Sequence, residues 1–327
     1  MMNEPLAILG IGTCLPPARS VREVARANGG DDSGYRSWDL ACQGGPDDHP
    51  STMGTQALTD ALKQAQVEPA ELSLLLFTGA SRDYVPSWSV SNEIMKLIGA
   101  SDQCLGLDMT SGCLATLAAL EMARTWLGGR GGGYAAIVAS ERWSQSIDYT
   151  DLKSMPLWSY GDSGGALVVS VDRPKPALAN YVGAEFRSAA ANNGQVLIPY
   201  GGTREPIAPP GANPLARRLA PKPGKEITKG YRQGYGDAYA ALMQRFDQKP
   251  ARMICNQMSP QVVGMLSEIF SLQENTIVTG TSYGHLGGVD VILGLQQALK
   301  ASTSEFPILI GASTAYGFGT GLLTAAA

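Results

Sequence analysis

Two short stretches decide the fold: DMTSGCLA at residues 108–115 and YGHLGG at residues 283–288. Each contains one chemically active side chain, Cys113 in the first and His285 in the second, directly after a glycine. An apolar segment of helical length follows each of them. The two side chains lie 172 positions apart, and this spacing indicates that the chain contains a duplicated unit.

Further matches occur in the same order and at nearly the same spacing. The sequence IVAS at residues 137–140 corresponds to IGAS at 310–313. An apolar segment at 74–78, which ends in a polar residue, corresponds to a similar segment at 252–256. Any one of these matches is weak, but their common order and spacing favour a duplication.

Glycine-rich segments complete the repeat, because each matched strand is followed by one, at residues 161–165 and 317–321. Both are expected to be turns. The sequence therefore predicts an α/β protein built from two duplicated halves related by a pseudo-twofold axis. We place these halves at residues 1–172 and 173–327.

Local patterns agree with this class of fold. Short apolar runs at residues 72–78 and 135–139 predict strands, and longer apolar runs at 52–65 and 113–127 predict helices. The segment 199–223 is rich in proline and glycine and predicts a long loop.

Composition excludes several classes of function. Of the 327 residues, 44% are hydrophobic and 17% are charged, with a net charge of -4, so a basic nucleic-acid-binding protein is not expected. The chain has neither an apolar run of about 20 residues nor a secretory signal, and we expect a cytoplasmic protein with no membrane partner. The five cysteines are widely spaced and never form C-x-x-C, so we expect no metal site and no disulfide framework. We also expect no permanently bound cofactor.

Cys113 is the candidate nucleophile. It stands between a predicted strand end and a predicted helix, and the N-terminus of a helix stabilises a thiolate through its partial positive charge and free N–H groups. An ordinary buried cysteine under a helix is the alternative interpretation. The turn and the repeat favour the catalytic one.

His285 and Asn256 are the candidate partners of the cysteine. His285 lies between glycines, which allow close approach of another backbone or a substrate, and the duplication predicts that it lies beside Cys113. The other histidine, His49, lies in a polar segment and is expected to be structural. Asn256 follows a predicted strand, where side chains at the carboxyl end face the crevice of an α/β sheet.

Two further features are candidates for substrate binding. The glycine-rich segment at 317–321 offers backbone N–H groups, one of which is expected to form an oxyanion hole together with the N–H of Cys113. A basic cluster is expected to bind the phosphates of coenzyme A or an acidic carrier protein, with a solvated loop as the alternative. Its candidate donor-binding residues are Arg217, Arg218, Lys222 and Lys225.

With these motifs in place, the chain resembles the ketoacyl-ACP synthase III group of the thiolase superfamily along nearly its whole length. The resemblance rests on the segments ILGIG at 8–12, SGC at 111–113, YGDSGGA at 160–166, NQ at 256–257, YGH at 283–285 and FGTGL at 318–322. It implies a five-layered α-β-α-β-α thiolase fold and a homodimer. It also implies that Cys113 takes an acyl group from an acyl-CoA or acyl carrier protein thioester, with an oxyanion hole formed by the amides of Cys113 and Thr320.

One departure from the family pattern bears on the chemistry. The family usually has histidine where this chain has Asn256, and asparagine where this chain has His285. Certain family members from natural-product pathways look similar, with histidine at this second position, and they form esters rather than carbon–carbon bonds. We therefore expect an acyltransferase of secondary metabolism that acylates a hydroxyl, amine or other nucleophile of a small metabolite, with His285 as the general base oriented by Asn256.

Other functions stay open at this point. The first alternative is a condensing enzyme that forms a carbon–carbon bond, by decarboxylation or by capture of a preformed carbanion. A non-catalytic partner subunit is less favoured, because such subunits tend to lose the cysteine. A type III polyketide synthase is also less favoured, because the order of its catalytic residues is Cys, His, Asn.

Overall fold

Two successive runs of strands and helices make up the chain, and a computed structural model describes residues 4–84, 87–172, 176–219, 224–300 and 305–326. The strands are β1 (Leu6–Cys14), β2 (Ala18–Ser20), β3 (Leu40–Cys42), β4 (Leu72–Phe77), β5 (Leu105–Asp108), β6 (Tyr134–Glu141), β7 (Ser163–Ser170), β8 (Ala179–Ser188), β9 (Val196–Leu197), β10 (Arg218–Leu219), β11 (Arg252–Cys255), β12 (Ile308–Thr314) and β13 (Gly317–Thr324). The helices are α1 (Val21–Ala27), α2 (Pro50–Ala65), α3 (Val90–Ile98), α4 (Ala115–Arg130), α5 (Gly224–Phe246), α6 (Pro260–Phe270), α7 (Gly280–Tyr283) and α8 (Val289–Lys300).

One mixed sheet contains both runs, in the strand order β11-β12-β13-β8-β1-β7-β6-β4-β5. In the first run β1 is antiparallel to β7, β7 is antiparallel to β6, and β6 is parallel to β4. In the second run β8 is antiparallel to β13, β13 is antiparallel to β12, and β12 is parallel to β11. The same sequence of pairings thus occurs twice, as the internal repeat predicts.

The two runs meet where residues 6–8 of β1 pair with residues 179–181 of β8. The predicted boundary between halves falls in the connection from β7 to β8. Residues 173–175 of this connection lie outside the described residues, and the boundary at 172/173 stays a prediction.

Helices α4 and α8 form the middle layer of the molecule. Leu117 of α4 and Ile292 of α8 belong to one buried cluster, together with Leu76 of β4 and Ile310 of β12. Both parts of the sheet therefore cover the same pair of helices. The helices that follow Cys113 and His285 in sequence lie at the centre of the protein.

Two outer layers cover the opposite faces of the sheet. Leu75 of β4 is buried against Leu58 of α2, and Leu309 of β12 is buried with Leu266 of α6. Successive residues of β4 and of β12 thus contact opposite layers, because side chains alternate along a strand. The result is the five-layered α-β-α-β-α arrangement of the thiolase fold, as the family resemblance implies.

The prediction that residues 161–165 and 317–321 form turns is wrong. Most of these residues lie in strands β7 and β13. A side chain at Gly164 would come within 2.3 Å of the Met53 carbonyl oxygen in α2. A side chain at Gly319 would come within 2.8 Å of Leu114. These glycines allow helices to pack closely on the strands, which offsets their weak intrinsic preference for sheet.

The predicted helices and strands agree closely with those of the structure. The predicted helices at 52–65 and 113–127 are α2 and α4, and the predicted strands at 72–78 and 135–139 are β4 and β6. All five cysteines are free thiols. None of the helices in the described part of the chain is both long and apolar enough to cross a membrane.

Candidate active site

Cys113 occupies a tight turn between β5 and α4. Gly112 precedes it with a φ of +51°, a left-handed conformation that glycine adopts without steric cost. Residues Gly112–Leu114 form a single 3₁₀ turn, and α4 begins directly afterwards at Ala115. The half-buried thiol therefore lies at the N-terminal end of a central helix, where unpaired N–H groups stabilise negative charge.

The imidazole of His285 lies beside this thiol, with 3.3 Å between His285 Nε2 and Cys113 Sγ. The backbone of His285 is held on both sides, because its N–H donates to the Ser159 carbonyl and its carbonyl accepts from the Gly161 N–H. Gly284 makes this contact possible, since a side chain there would come within 2.3 Å of the Ser159 oxygen. The structure thus brings together the two residues that the repeat relates.

Asp290 forms the third member of the cluster. Its Oδ2 lies 2.5 Å from His285 Nδ1, on the side of the ring opposite the sulfur. The same oxygen accepts a hydrogen bond from the Gln257 N–H at 2.7 Å, and Oδ1 accepts one from the Leu286 N–H at 2.9 Å. His285 and Asp290 are almost completely buried. Cys113, His285 and Asp290 form a continuous line of contacts of the kind used in nucleophilic catalysis.

Electrostatics favour a proton on His285. Burial opposes a charge on the imidazole, but the carboxylate of Asp290 and the sulfur of Cys113 outweigh burial and raise the pKa of His285 from 6.5 to about 10. An imidazolium between a carboxylate and a sulfur stabilises negative charge on that sulfur. The site is therefore suited to hold a nucleophilic thiolate.

The side-chain hydrogen bonds of Asn256 go to backbone groups and not to the His285 ring, so the expectation that Asn256 orients this ring is wrong. Its amide donates to the Gly287 carbonyl at 2.9 Å, and its carbonyl oxygen accepts from the Ser313 N–H at 2.9 Å. Both hydrogen bonds are buried. Asn256 therefore ties the end of β11 to the loop that carries His285, and Asp290 contacts the ring instead.

The structure does not place the amide of Thr320 where an oxyanion hole with Cys113 requires it. Thr320 lies inside β13, where it pairs with Gly311 of β12 on one side and with Glu185 of β8 on the other. The backbone of a residue between two paired strands faces those strands. Thr320 is also fully buried and does not line the cavity at Cys113, so its amide is not placed to bind an oxyanion there.

A cavity of about 320 Å³ opens at Cys113. Its walls include Trp143 and Tyr160, whose rings lie 5.2 Å and 4.6 Å from the ring of His285, measured between centroids. A second cavity of about 560 Å³ shares Tyr160, Tyr231 and Met258 with the first and is lined mainly by apolar residues. Together they provide space for an acyl chain beside the thiol.

The predicted basic cluster separates into different environments. Arg217 lines the cavity at Cys113, and its guanidinium lies 4.6 Å from the centre of the Trp143 ring. Arg218 is an exposed residue of β10. Lys222 lies outside the described residues, and Lys225 lies in α5, where only the backbone is described. Arg217 is thus the member of the cluster that the structure brings to the candidate active site.

Asp290 and Trp143 are the site residues that sequence reasoning missed. A signal for Asp290 is present, because it is the single charged residue in the apolar segment 286–295, at the start of a helix directly after His285. Comparison with the family pattern directed attention to Asn256 instead. Trp143 lies outside the repeated motifs, and only the tertiary fold brings it to His285.

Fold and site together are similar to those of one class of proteins, the ketoacyl-ACP synthase III-like proteins of the thiolase superfamily. A model of the family 3-oxoacyl-[acyl-carrier-protein] synthase III matches residues 107–188. The β-ketoacyl-[acyl-carrier-protein] synthase III of Microcystis aeruginosa is 24% identical over 285 residues, which cover 83% of this chain and 80% of that protein. These relatives support a thiolase-type enzyme that transfers or condenses acyl groups.

Solved structures show the same fold. Xanthomonas campestris OleA matches with a TM-score of 0.84 at 17% identity, over 99% of each chain. The 3-oxoacyl-[acyl-carrier-protein] synthase III of Aquifex aeolicus matches with a TM-score of 0.80 at 17% identity, over 98% of this chain and 99% of the other.

Proposed function

We propose that this protein is an acyltransferase that moves an acyl group from a CoA or carrier-protein thioester, through an acyl-cysteine at Cys113, to a nucleophile of a small metabolite. The observation that carries the proposal is the contact of 3.3 Å between Cys113 Sγ and His285 Nε2, with Asp290 bound to the other ring nitrogen. Such a line of sulfur, imidazole and carboxylate supports two successive acyl transfers.

In the first transfer the Cys113 thiolate attacks the carbonyl carbon of the thioester, and the bond from that carbon to the carrier sulfur breaks. The carrier thiolate leaves and takes the proton of the His285 imidazolium. In the second transfer His285 removes the proton of the acceptor hydroxyl or amine while the acceptor attacks the acyl-cysteine. The Cys113 thiolate leaves, and His285 returns to the imidazolium form, paired with Asp290.

The placement of Asn256 favours transfer over decarboxylative condensation. Both of its polar atoms are engaged with backbone groups of Gly287 and Ser313, and it does not line the cavity at Cys113. Condensation by loss of carbon dioxide requires donors that hold the enolate oxygen of the extender thioester. Of the two predicted partners His285 and Asn256, it is His285 that contacts the Cys113 thiol.

Condensation is the second candidate function, because the curated relatives carry the name of a condensing enzyme. A carboxyl-labelled malonyl thioester separates the two functions. Label retained in the acylated product supports transfer, whereas prompt release of labelled carbon dioxide supports condensation. The acceptor is proposed to be a small molecule of secondary metabolism.

Intact-mass spectrometry tests the acyl-enzyme directly. We expect a mass increase equal to one acyl group after incubation with a panel of acyl-CoA and acyl carrier protein thioesters. Cys113→Ala should lose the adduct completely. Cys14→Ala is the matched control, since Cys14 is also a partly exposed free thiol and should leave the adduct unchanged. An adduct that persists in Cys113→Ala overturns the proposal.

A further inference from the structure

Arg217 is the one charged side chain among the described residues that line the cavity at Cys113. Its backbone N–H donates to the Ser146 carbonyl at 2.9 Å, which fixes the point from which the side chain extends. The other lining residues are mainly apolar or carry neutral hydroxyl groups. A cation in such a cavity is costly unless an anion accompanies it.

Trp143 holds the guanidinium next to the catalytic cluster. The Cζ of Arg217 lies 4.6 Å from the centre of the Trp143 ring, and that ring lies 5.2 Å from the ring of His285. Stacking on an aromatic face leaves the N–H groups at the edge of the guanidinium free to donate. Arg217 therefore presents a planar set of donors within the space beside Cys113.

The protein supplies no acceptor for these donors among the described residues. The nearby Glu141 interacts with Arg217 by charge, but its oxygens accept from the Ala80 N–H, the Ser81 N–H and the Ser81 hydroxyl at 2.7 to 2.9 Å. No hydrogen bond joins the Arg217 guanidinium to a described residue. Desolvation lowers the pKa of Arg217, and the charge of Glu141 offsets this effect only in part.

We propose that Arg217 binds a carboxylate at the far end of the acyl group carried by Cys113, so that the preferred donors are half-thioesters of dicarboxylic acids. The inference rests on the proposed acyltransferase function. A guanidinium matches a carboxylate through two parallel hydrogen bonds, and a neutral acyl chain would leave it facing apolar walls. The phosphates of coenzyme A are a poorer match, because Arg217 is half-buried against Trp143 beside the His285 cluster, whereas Arg218 is exposed in β10.

This assignment also agrees with transfer without loss of carbon dioxide. Decarboxylation converts the carboxylate into a neutral molecule and so forfeits its ion pair with Arg217. A substrate held in this way is stabilised in its carboxylated form. The acyl group is therefore expected to reach the acceptor with its carboxylate intact.

The test compares pairs of thioesters with equal chain length. Malonyl is paired with propionyl and succinyl with butyryl, each as CoA and carrier-protein thioesters, and the rate of adduct formation at Cys113 is followed by intact mass. We expect the natural protein to load the carboxylated member at least about 10-fold faster. Arg217→Gln should lose this preference while loading of propionyl and butyryl stays within about threefold, and Arg217→Lys should keep part of it.

Arg245→Gln is the matched control, because Arg245 also stacks on a ring, that of Phe246 at 4.8 Å, but does not line the cavity. It should keep the full preference. Equal loading of both members by the natural protein overturns the assignment of Arg217 while leaving the acyltransferase proposal in place, and so does an equal loss of both in Arg217→Gln. Absence of an adduct with every thioester overturns the acyltransferase proposal itself, and this inference with it.

Discussion

Asp290 both orients the imidazole of His285 and holds the loop that carries this residue. One carboxylate oxygen receives the imidazole of His285 and the Gln257 N–H, and the other receives the Leu286 N–H. The carboxylate thereby fixes the loop that carries His285 and the orientation of its ring. A neutral amide at this position has only one acceptor oxygen for these three donors.

Asp290→Asn should therefore lower the rate of acyl transfer by about 100-fold or more, because the imidazole loses both its orientation and its counter-charge. The measurement is single-turnover formation and decay of the acyl-enzyme, which separates the two transfers. Asp237→Asn, at an exposed position of α5, is the control and should behave as the natural protein. A rate within threefold of natural in Asp290→Asn would show that the carboxylate has no part in the chemistry.

The sequence predicted some of the individual site residues correctly and others not. The spacing of Cys113 and His285 within the repeat was sufficient to predict their proximity. Asn256 is a candidate because it follows a predicted strand, and Thr320 is one because of the family resemblance, but neither argument specifies which groups the residue contacts. Thr320 lies in a strand paired on both sides, and the polar groups of Asn256 are taken up by backbone, which only the tertiary structure reveals.

Among the elements, β5 is one of the two edge strands of the large sheet, and β11 is the other. Leu105 and Leu107, which point to the same side, are each 38% exposed. An edge strand with exposed leucines is suited to pairing with another chain, since it offers both free backbone groups and apolar surface. We propose that β5 forms the interface of a homodimer.

Leu107→Glu should convert the dimer to a monomer, because it places a charge in the proposed interface. Light scattering coupled to size-exclusion chromatography measures the mass directly. Leu152→Glu is the control, since Leu152 is 52% exposed in a 3₁₀ turn remote in sequence from β5, and it should leave the mass unchanged. A natural protein that is already monomeric, or a Leu107→Glu variant that stays dimeric, would contradict this interface.

Glycine explains why some elements were harder to predict than others. Apolar runs without glycine, such as β4 and β6, were located from sequence to within two residues at either end. The glycine-rich starts of β7 and β13 were mistaken for turns, because glycine is rare in strands. Its presence there follows from helix packing across the sheet, a property of the assembled layers and not of the local sequence.

For the whole molecule, the duplicated fold creates the site by joining two halves that each contribute half of the chemistry. Cys113 precedes α4 and His285 precedes α8, and the two helices share the central layer between the two parts of the large sheet. The cysteine and the imidazole therefore meet only in the folded protein. The charge of His285 is consequently coupled to the stability of the entire chain.

This coupling has a definite sign. The pKa of His285 is raised to about 10 in the folded protein, chiefly because Asp290 and Cys113 outweigh burial, and it is 6.5 in an ordinary environment. The protonated pair stabilises the fold fully below about pH 6.5, and this stabilisation is lost as the pH rises through about 10, at about 1.4 kcal/mol per pH unit between these values. Urea unfolding across this range should show a steeper decline for the natural protein and for Asp237→Asn than for Asp290→Asn, which lacks the carboxylate. Parallel declines in all three proteins would mean that the His285–Asp290 pair does not govern stability in this pH range.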